Sequence, residues 1–170
     1  MLSILLPVRN EYENLDIIEK IFSENLSEIN YEAILINDFS TDNTLKKANE
    51  ISNKNKNFRT INNSNKGLGG AMNLGILESR GDFVCIVMAD LSDDISDLRK
   101  YYELITKENL DAVFGSRFLK NSKVINYPKR KLLLNRIFNL CVKILFLNNY
   151  NDYTNAFKIY KASVLKSFLP

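Results

Sequence analysis

Hydrophobic residues in the first two thirds of the chain alternate between short apolar runs and stretches with helical spacing. Short runs bounded by turn residues are typical of buried strands, and apolar residues every three or four positions indicate a helix face. The runs predict strands at Leu2–Val8, Glu32–Ile36, Phe58–Ile61, Phe83–Met88 and Asp111–Phe114. Helices are predicted at Asn14–Phe22, Leu45–Ile51, Lys66–Ser79 and Ile95–Thr106. This alternation predicts an α/β fold with a mostly parallel sheet.

The last third of the chain departs from this rhythm. Residues Lys131–Leu147 predict a long helix, in which Lys131, Asn135, Asn139 and Lys143 recur every fourth residue. That spacing draws one narrow polar stripe along an otherwise apolar cylinder. The helix is therefore either mostly buried or lies in a membrane interface with its cationic stripe toward head groups. General frequencies of burial favour the first alternative.

The composition is that of one ordinary globular domain. At 170 residues and 45% hydrophobic, the chain can bury a core, and no linker divides residues 1–170 into two domains. The final residues carry no tail signal, which leaves a C-terminally truncated chain open. A net charge of +3 without a nucleic-acid-binding module argues against a nucleic-acid partner.

The cysteines, the absence of histidine and the start of the chain indicate which chemistry and which cellular compartment to expect. Cys85 and Cys141 lie in apolar surroundings and are predicted to be buried in a reducing compartment. Histidine is absent, so acid–base chemistry must fall to Asp, Glu, Lys or Tyr. The start lacks a basic leader, and no apolar stretch reaches the roughly 18 to 20 residues of a membrane span. We expect a cytoplasmic protein, with peripheral contact at the inner face of the membrane left open.

An acidic cluster follows the strand near the middle of the chain. The apolar residues 86–89 stop at Asp90, and Asp93 and Asp94 follow shortly after. Ligands of open α/β sheets bind beyond the carboxyl ends of the strands, where carboxylates can hold a divalent cation that carries nucleotide phosphates. The alternative is an ordinary helix start with acidic residues in its first turn.

Three further segments follow predicted strands. Pro7–Glu11 and Asn37–Asp42 place carboxylates where a nucleoside base or ribose can be bound, although each is also explained as a helix cap or Asx turn. Lys66–Gly70 opens a helix with glycines, which let a backbone approach an anion closely. A plain glycine-rich turn explains that segment equally well.

Basic residues and a lone aspartate mark the last third. Gly115–Arg117, Lys129–Lys131 and Arg136 supply guanidinium and ammonium groups suited to phosphate oxygens, or form a solvated helix start. Asp152, within Asn151–Lys158, is a candidate base or a cap.

Together and in this order, these segments resemble inverting GT-A glycosyltransferases of family two, closest to the dolichol-phosphate mannosyltransferase group. Pro7–Glu11 is similar to that family's Pro-x-x-Asn-Glu opening, Asn37–Thr44 to its Asp-Asp-x-Ser-x-Asp-x-Thr segment, and Lys66–Ala71 to its Lys-Gly-Leu-Gly-x-Ala loop. Ala89–Ser92 matches the end of its Asp-Ala-Asp-Leu-Ser metal motif, Gly115–Arg117 its Gly-Ser-Arg, and Asp152–Lys158 resembles Asp-x-Thr-Ser-Gly-Phe-Arg. The resemblance covers nearly the whole chain.

This chain departs from the family pattern at several positions. Met88 stands where the first metal-binding Asp is expected, and Asn37 replaces the first Asp of the second segment. Ala156 and Lys158 replace the usual Gly and Arg. The first departure puts metal binding in question, and the last two put the identity of the acceptor in question.

The resemblance implies a GT-A (Rossmann-like) domain over residues 1–170, with helices on both faces of the sheet. It implies an inverting, metal-assisted transfer from a GDP- or UDP-sugar to a polyprenyl phosphate or a cell-surface glycan. The implied nucleotide-binding residues are Pro7, Arg9, Glu11, Asp38, Lys66, Gly67, Ala89 and Asp90. Asp90 and Ser92 are implied to bind Mg²⁺ or Mn²⁺. The implied acceptor-phosphate residues are Arg117, Arg130, Lys131 and Asn135, and the implied catalytic residues are Asp90, Arg117 and Asp152.

Alternative functions remain open from the sequence. A phosphate acceptor is already ionised and needs no base, whereas a sugar hydroxyl needs one, for which Asp152 is the candidate. Met88 and the early chain end favour a catalytically impaired nucleotide-sugar binding module. A nucleotidyltransferase expects a glycine-rich basic loop after the first strand, which Pro7–Asn14 does not supply. The enzyme prediction depends on Asp38, Asp90 and Arg117 surrounding one pocket.

Overall fold

The computed structural model describes residues 1–120, 122 and 127–169 of the chain. The strands are β1 (Leu2–Val8), β2 (Tyr31–Asn37), β3 (Phe58–Asn62), β4 (Phe83–Ile86), β5 (Ala112–Phe114) and β6 (Lys158–Lys161). The helices are α1 (Leu15–Asn25), α2 (Thr44–Lys54), α3 (Leu68–Glu78), α4 (Ile95–Lys107), α5 (Lys129–Leu145) and α6 (Ala162–Ser167). Every predicted strand and helix is confirmed with bounds that shift by a few residues, whereas β6 and α6 were not predicted.

The strands form one sheet in the order β3-β2-β1-β4-β6-β5. β1 pairs in parallel with β2 on one side and β4 on the other, and β2 pairs in parallel with β3. β6 runs antiparallel to β4. The mostly parallel sheet is thus confirmed. The strand order reverses between β1 and β4, which is the place where open α/β sheets bind their ligands, beyond the carboxyl ends of the strands.

Both faces of the sheet are covered by helices, because successive side chains of a strand point to opposite faces. Leu2, Ile4 and Leu6 of β1 pack in one apolar cluster, together with buried residues of α1, α2 and α4. Leu5 packs in the other, with buried residues of α3 and α6. Strand β2 divides in the same way between the two clusters. All residues of β2 are buried, which explains its almost continuous apolar sequence.

The chain divides into two compact units. The first consists of residues Met1–Val113 and Phe157–Pro170, and it contains the helices that cover the sheet. The second consists of residues Phe114–Ala156 and contains α5 with the loops before and after it. Among the described residues of both units, no helix combines the length and apolarity that crossing a bilayer requires.

Helix α5 corrects the predicted burial of its apolar surface. Its one buried residue is Asn139, whereas its leucines and isoleucines are largely exposed. The Asn139 side chain faces the second unit itself, since Oδ1 accepts a hydrogen bond from the Tyr153 N–H at 2.6 Å. Asn135 also faces inward, because its Nδ2 donates to the Tyr127 hydroxyl. The polar stripe is therefore internal at its two asparagines, whereas the membrane-interface alternative stays a prediction.

The two cysteines differ in environment, although both were predicted to be buried. Cys85 in β4 is fully buried, and burial raises the pKa of its thiol well above the ordinary value. Cys141 is exposed, because it lies on the outer side of α5. The prediction for Cys141 is wrong for the same reason as that for α5, since an apolar sequence context was taken to mean burial.

Candidate functional site

The loops that follow β1 and β2 are joined by hydrogen bonds. The Asn10 side-chain oxygen accepts from the Thr41 N–H at 2.8 Å, and the Asn10 N–H donates to Ser40 Oγ at 3.2 Å. The Glu11 N–H donates to Thr44 Oγ1 at 2.9 Å. These bonds make one surface from Pro7–Glu11 and Asn37–Asp42, two segments that the sequence placed at neighbouring strand ends.

A polar cavity of about 360 Å³ opens at this surface. It is lined by Asn10, Glu11, Tyr12, Glu13, Asn14, Asp42 and Asn43. Cavities of this size hold small ligands, and the carboxylates and amides can bond a ligand rich in donors. Of the predicted nucleotide-binding residues, Glu11 lines the cavity, Arg9 is exposed just before it, and Pro7 pairs with Ile36 within the sheet.

Asp38 is buried at the end of β2, where it anchors the glycine loop. Its Oδ1 accepts hydrogen bonds from the Gly67 N–H at 2.9 Å and from Asn63 Nδ2 at 2.8 Å. The same Asn63 nitrogen donates to the Asn65 carbonyl at 2.7 Å. Asn63 was not predicted, although the asparagine-rich connection after β3 was a visible signal. Asp38 thus shapes the loop that was predicted to approach the ligand.

The glycine loop, Lys66–Gly70, needs its glycines at two positions. Gly67 has a φ of +113°, a conformation that favours glycine, and a Cβ on Gly70 would lie 1.8 Å from the Asn65 carbonyl oxygen. Helix α3 begins within this segment at Leu68, so its first N–H groups lack helical partners and suit an anion. The Lys66 ammonium lies 6.0 Å from the centre of the exposed Phe39 ring, beside the same loop.

Non-glycine residues with left-handed backbone conformations follow three of the parallel strands. Asn10 has a φ of 58°, Phe39 of 55° and Leu91 of 59°. Such residues cost of order 1–3 kcal/mol each and cluster at functional sites. Their positions after β1, β2 and the β4 segment support a ligand site at this edge of the sheet.

The acidic cluster after β4 contains two exposed residues, Asp90 and Asp94, and a partly buried one, Asp93. Asp90 is exposed, and its Oδ1 accepts from the Ser92 N–H at 3.0 Å. Asp93 accepts from the Met88 N–H at 3.4 Å, and Asp94 caps α4 through the Ser96 N–H. The predicted nucleotide contact Ala89 is buried beside Asp90.

This cluster offers few protein ligands for a metal ion. Within residues 1–120, 122 and 127–169, no group of three or more His, Cys, Asp or Glu side chains could hold a metal. A cation at Asp90 would therefore take most of its ligands from water and from a bound phosphate. Mg²⁺ commonly binds in this manner, through one or two carboxylates plus substrate phosphates. The donor set is compatible with such a cation.

In the second unit, Arg117 and Asp152 form a bidentate ion pair. Arg117 Nε donates to Asp152 Oδ2 at 2.8 Å, and an Arg117 terminal nitrogen donates to Oδ1 at 2.7 Å. The backbone N–H of Arg117 adds a third bond to Oδ2 at 2.9 Å, and Thr154 Oγ1 accepts another from the guanidinium. These bonds bring together two predicted segments, Gly115–Arg117 and Asp152–Lys158, through Arg117, Asp152 and Thr154.

The environment of Asp152 opposes the transfer of a proton to it. Its side chain is fully buried, which by itself raises the pKa, but the hydrogen bonds from Arg117 outweigh the burial and lower the pKa below the ordinary value. The same pairing raises the pKa of Arg117. A carboxylate so engaged positions the guanidinium better than it accepts a proton.

Cations gather around two aromatic rings next to this pair. The Arg117 guanidinium lies 5.4 Å from the Phe118 ring centre and 5.8 Å from that of Tyr127. The Lys131 ammonium lies 5.4 Å from the Tyr127 ring, and Arg136 lies 5.4 Å from the Phe118 ring. Three of the four predicted acceptor-phosphate residues thus meet at Tyr127, since Asn135 bonds its hydroxyl. Arg130 lies on the opposite side of α5 from Asn139 by helical geometry.

Comparison with known proteins identifies the family. The sequence profile described as Glycosyl transferase family 2 matches residues 3–169. The chain belongs to glycosyl transferase family 2. The family resemblance inferred from the ordered segments is therefore confirmed. Asp38 and Asp90 lie in the first unit and Arg117 in the second. The predicted roles of the individual site residues, and the single pocket around these three, stay predictions.

Curated relatives of the chain are named as dolichol-phosphate and dolichyl-phosphate glycosyltransferases. The chain is 34% identical over 134 residues to a dolichol-phosphate mannosyltransferase of Pyrococcus furiosus, covering 79% of the chain and 38% of that protein. It is 30% identical over 186 residues to a dolichyl-phosphate beta-glucosyltransferase of Dictyostelium discoideum, covering 99% of the chain and 56% of that protein. The chain therefore spans about half the length, or less, of these relatives.

Solved structures support the family-2 fold. Glucosyl-3-phosphoglycerate synthase from Mycobacterium tuberculosis, in complex with Mn²⁺ and UDP-glucose, matches with a TM-score of 0.72 and 18% identity. The match covers 99% of this chain and 58% of that one. At this identity the likeness establishes the α/β glycosyltransferase fold, and the predicted fold class is confirmed.

Proposed function

We propose that this chain is the catalytic region of an inverting glycosyltransferase that uses a nucleotide-diphosphate sugar as donor and a polyprenyl phosphate as acceptor. The observation that carries the proposal is the cation group around Tyr127. Arg117 and Lys131 both lie close to its ring, and Asp152 neutralises only the first of these charges. Converging cations with an arginine held in a fixed orientation suit the oxygens of a phosphate.

The names of the relatives support a lipid-phosphate acceptor. Both relatives described above have dolichol phosphate or dolichyl phosphate in their names. A lipid acceptor places the proposed reaction at the inner, cytoplasmic face of a membrane, with the protein in peripheral contact. A glycan acceptor remains the competing case, because it would use the same donor but require a base.

The donor is proposed to bind the first unit at the carboxyl ends of β1, β2 and β4. The polar cavity bounded by Glu11 and Asp42 suits a nucleoside, and the loop that Asp38 fixes through Gly67 suits the diphosphate. Lys66 adds a positive charge at that loop. A GDP-sugar and a UDP-sugar are both compatible with these groups.

Mg²⁺ or Mn²⁺ is the proposed cofactor, and Asp90 with Ser92 would hold it. Such a cation neutralises negative charge on the leaving diphosphate. The Mn²⁺ complex of the M. tuberculosis synthase is consistent with this proposal.

The proposed reaction needs no general base. An oxygen of the acceptor phosphate forms the bond to the anomeric carbon, while the bond from that carbon to the nucleotide diphosphate breaks on the opposite face. The acceptor oxygen is already ionised near neutral pH, so no proton has to be removed. Arg117 and Lys131 would hold the acceptor, and Asp152 would keep Arg117 in place.

A screen of donors and acceptors tests the proposal. The purified chain is incubated with GDP- and UDP-sugars, with a polyprenyl phosphate or a free glycan, and with Mg²⁺ or Mn²⁺. Mass spectrometry is expected to detect a polyprenyl phosphosugar, and to detect it also with Asp152→Asn. Transfer to the glycan alone, abolished by Asp152→Asn in a folded protein, contradicts the lipid-phosphate acceptor.

A catalytically impaired nucleotide-sugar binding module is the second candidate, and the metal cluster favours it. Met88 replaces an expected carboxylate, and Asp93 and Asp94 make local hydrogen bonds rather than join Asp90. Calorimetric titration with UDP and GDP, with and without Mn²⁺, separates the two candidates. Tight nucleotide binding without transfer or donor hydrolysis favours the module.

A further inference from the structure

Phe39 combines a strained backbone with an exposed aromatic ring. In the described part of the chain, five non-glycine residues have a positive φ, and each of the other four has a local reason for it. Asn109 and Leu147 follow the ends of α4 and α5, where a left-handed residue is common. Asn10 is of a residue type that tolerates this conformation, and the side chain of Leu91 lines a small apolar cavity. Phe39 has none of these reasons.

The ring of Phe39 lies outside the apolar core. The residue is 45% exposed, and it belongs to neither of the two apolar clusters found in the described ranges. A bulky side chain in the left-handed region is an outlier, and such strain persists only where the surrounding structure enforces it. The fold therefore loses stability at Phe39 while the ring gains little apolar packing.

Hydrogen bonds on both sides enforce the conformation of Phe39. On one side, Asp38 Oδ1 accepts from the Gly67 N–H of the glycine loop at 2.9 Å. On the other side, Ser40 Oγ accepts from the Asn10 N–H at 3.2 Å, and Asn10 lines the polar cavity. Phe39 therefore lies between the two places that are proposed to bind the diphosphate and the nucleoside of the donor.

We propose that the ring of Phe39 stacks on the base of the nucleotide donor. The carboxylates and amides of the cavity can bond the edges of a base, whereas the face of a base needs an apolar plane. The Lys66 ammonium, 6.0 Å from the ring centre, supplies positive charge for the attached diphosphate. Stacking tolerates different bases, so the ring suits uracil and guanine alike. The inference rests on the proposed function and deepens it, since it names a residue that recognises the donor.

Phe39→Trp makes the stacking visible, because the chain has no tryptophan of its own. We expect UDP and GDP, in the presence of Mg²⁺, to quench the emission of this variant, because a base stacked on an indole ring quenches its fluorescence. Pyrophosphate and ribose 5-phosphate lack a base and are expected to leave the emission nearly unchanged. Phe168→Trp is the matched control, since Phe168 is 80% exposed in the same unit but outside the loops that follow β1, β2 and β4. Its emission is expected not to respond to any of these compounds.

Phe39→Gly separates stacking from a structural role of the ring. The variant is expected to bind UDP and GDP about five- to 150-fold more weakly, which is the loss typical of one stacked base, and to bind pyrophosphate within about twofold of the wild type. Glycine adopts the left-handed conformation without strain, so the same change is expected to raise Tm by about 1–4 °C. Phe39→Tyr keeps the ring and should retain nucleotide binding. Calorimetry and thermal unfolding measure both effects.

Several outcomes overturn the inference. A Tm that falls with Phe39→Gly would show that the ring packs within the protein. Equal weakening of pyrophosphate and UDP binding would show that the ring positions Lys66, and unchanged UDP affinity would show that it does not contact the donor. Quenching of Phe39→Trp by UDP or GDP without sugar transfer to any acceptor leaves the stacking intact and refutes the proposed function. Sugar transfer whose donor KM is unchanged by Phe39→Gly upholds the proposed function and overturns the stacking.

Discussion

The carboxylate of Asp152 holds the guanidinium of Arg117 through two hydrogen bonds of 2.8 Å and 2.7 Å, while the Arg117 backbone N–H donates a third at 2.9 Å. Burial alone raises the pKa of Asp152, but the hydrogen bonds from Arg117 outweigh it and lower the pKa, so the carboxylate stays ionised throughout the neutral range. The pair therefore orients Arg117. The Arg117 guanidinium also lies close to the aromatic ring of Tyr127, which the Lys131 ammonium approaches as well.

Asp152→Asn is expected to act on acceptor binding. Loss of the charged partner leaves Arg117 less well oriented, so KM for a polyprenyl phosphate should rise about tenfold while kcat falls less. The pH profile between about pH 6 and 8 should keep its shape, because an already ionised group does not titrate there. Thr154→Val, which removes one neutral hydrogen bond from Arg117, is the milder control. A collapse of kcat together with loss of a pH limb would instead identify Asp152 as the base.

Two adjacent glycines in the 66–70 loop should differ in their tolerance of alanine. Gly70→Ala places a Cβ 1.8 Å from the Asn65 carbonyl oxygen, whereas a Cβ on Gly69 meets nothing within 4 Å. We expect Gly70→Ala to lower the free energy of unfolding by about 1–3 kcal/mol and to weaken nucleotide binding, since the loop must shift. Gly69→Ala should be neutral or stabilising by up to about 1 kcal/mol. Urea unfolding and calorimetry with UDP and GDP measure both effects, and equal behaviour of the variants would contradict the loop geometry.

The elements that could be predicted from the sequence are those whose apolar pattern is compatible with one kind of secondary structure and one degree of burial. Strand β2 is buried at every position, so its apolar run gave the strand directly. Strand β6 was missed because its four residues alternate between one fully buried isoleucine and amphipathic lysine and tyrosine side chains. Burial was favoured for α5 because its sequence does not show that Asn135 bonds Tyr127 and Asn139 bonds Tyr153 within the second unit.

The candidate site was predictable in residue type but not in the role of each residue. Asp38 was identified from its place after a strand, yet its bond to Gly67 depends on a loop 29 residues away. Asn63 joins the same network through its side chain, and the sequence offered no preference among Asn62, Asn63 and Asn65. Partner choice across such distances is decided by the folded backbone.

Glu32 should make stability depend on pH. Ser3 Oγ and the Arg80 N–H donate to its Oε1 at 2.6 Å and 2.7 Å, and Arg59 Nε donates to Oε2 at 2.9 Å. Burial raises the pKa of Glu32, but these bonds outweigh it and hold the pKa below its ordinary value of 4.5. A lowered folded-state pKa contributes stability that is complete above 4.5 and is lost as pH falls through the folded pKa.

Glu32→Gln is therefore expected to lower the free energy of unfolding by about 1–3 kcal/mol at pH 7. The difference from the wild type should shrink below pH 4.5. Glu78 is the matched control, because it contacts the same Arg59 at 3.7 Å but is 51% exposed. Glu78→Gln should change stability by less than about 0.5 kcal/mol. Urea denaturation across the pH range measures both, and a pH-independent difference for Glu32→Gln would refute the ionic contribution.

The inverted polarity of α5 predicts that its asparagine matters more to folding than its exposed leucines. Asn139 Oδ1 accepts from the Tyr153 N–H, and Nδ2 donates to the Asn135 carbonyl at 2.8 Å. Asn139→Ala leaves the Tyr153 N–H without this acceptor and should destabilise the second unit by about 1–3 kcal/mol. Leu145→Ala, at a side chain that is 76% exposed, should cost less than about 0.5 kcal/mol. Hydrogen exchange at the Tyr153 amide and thermal unfolding without lipid distinguish the two. A larger loss from Leu145→Ala would show that the apolar side of α5 packs inward in solution.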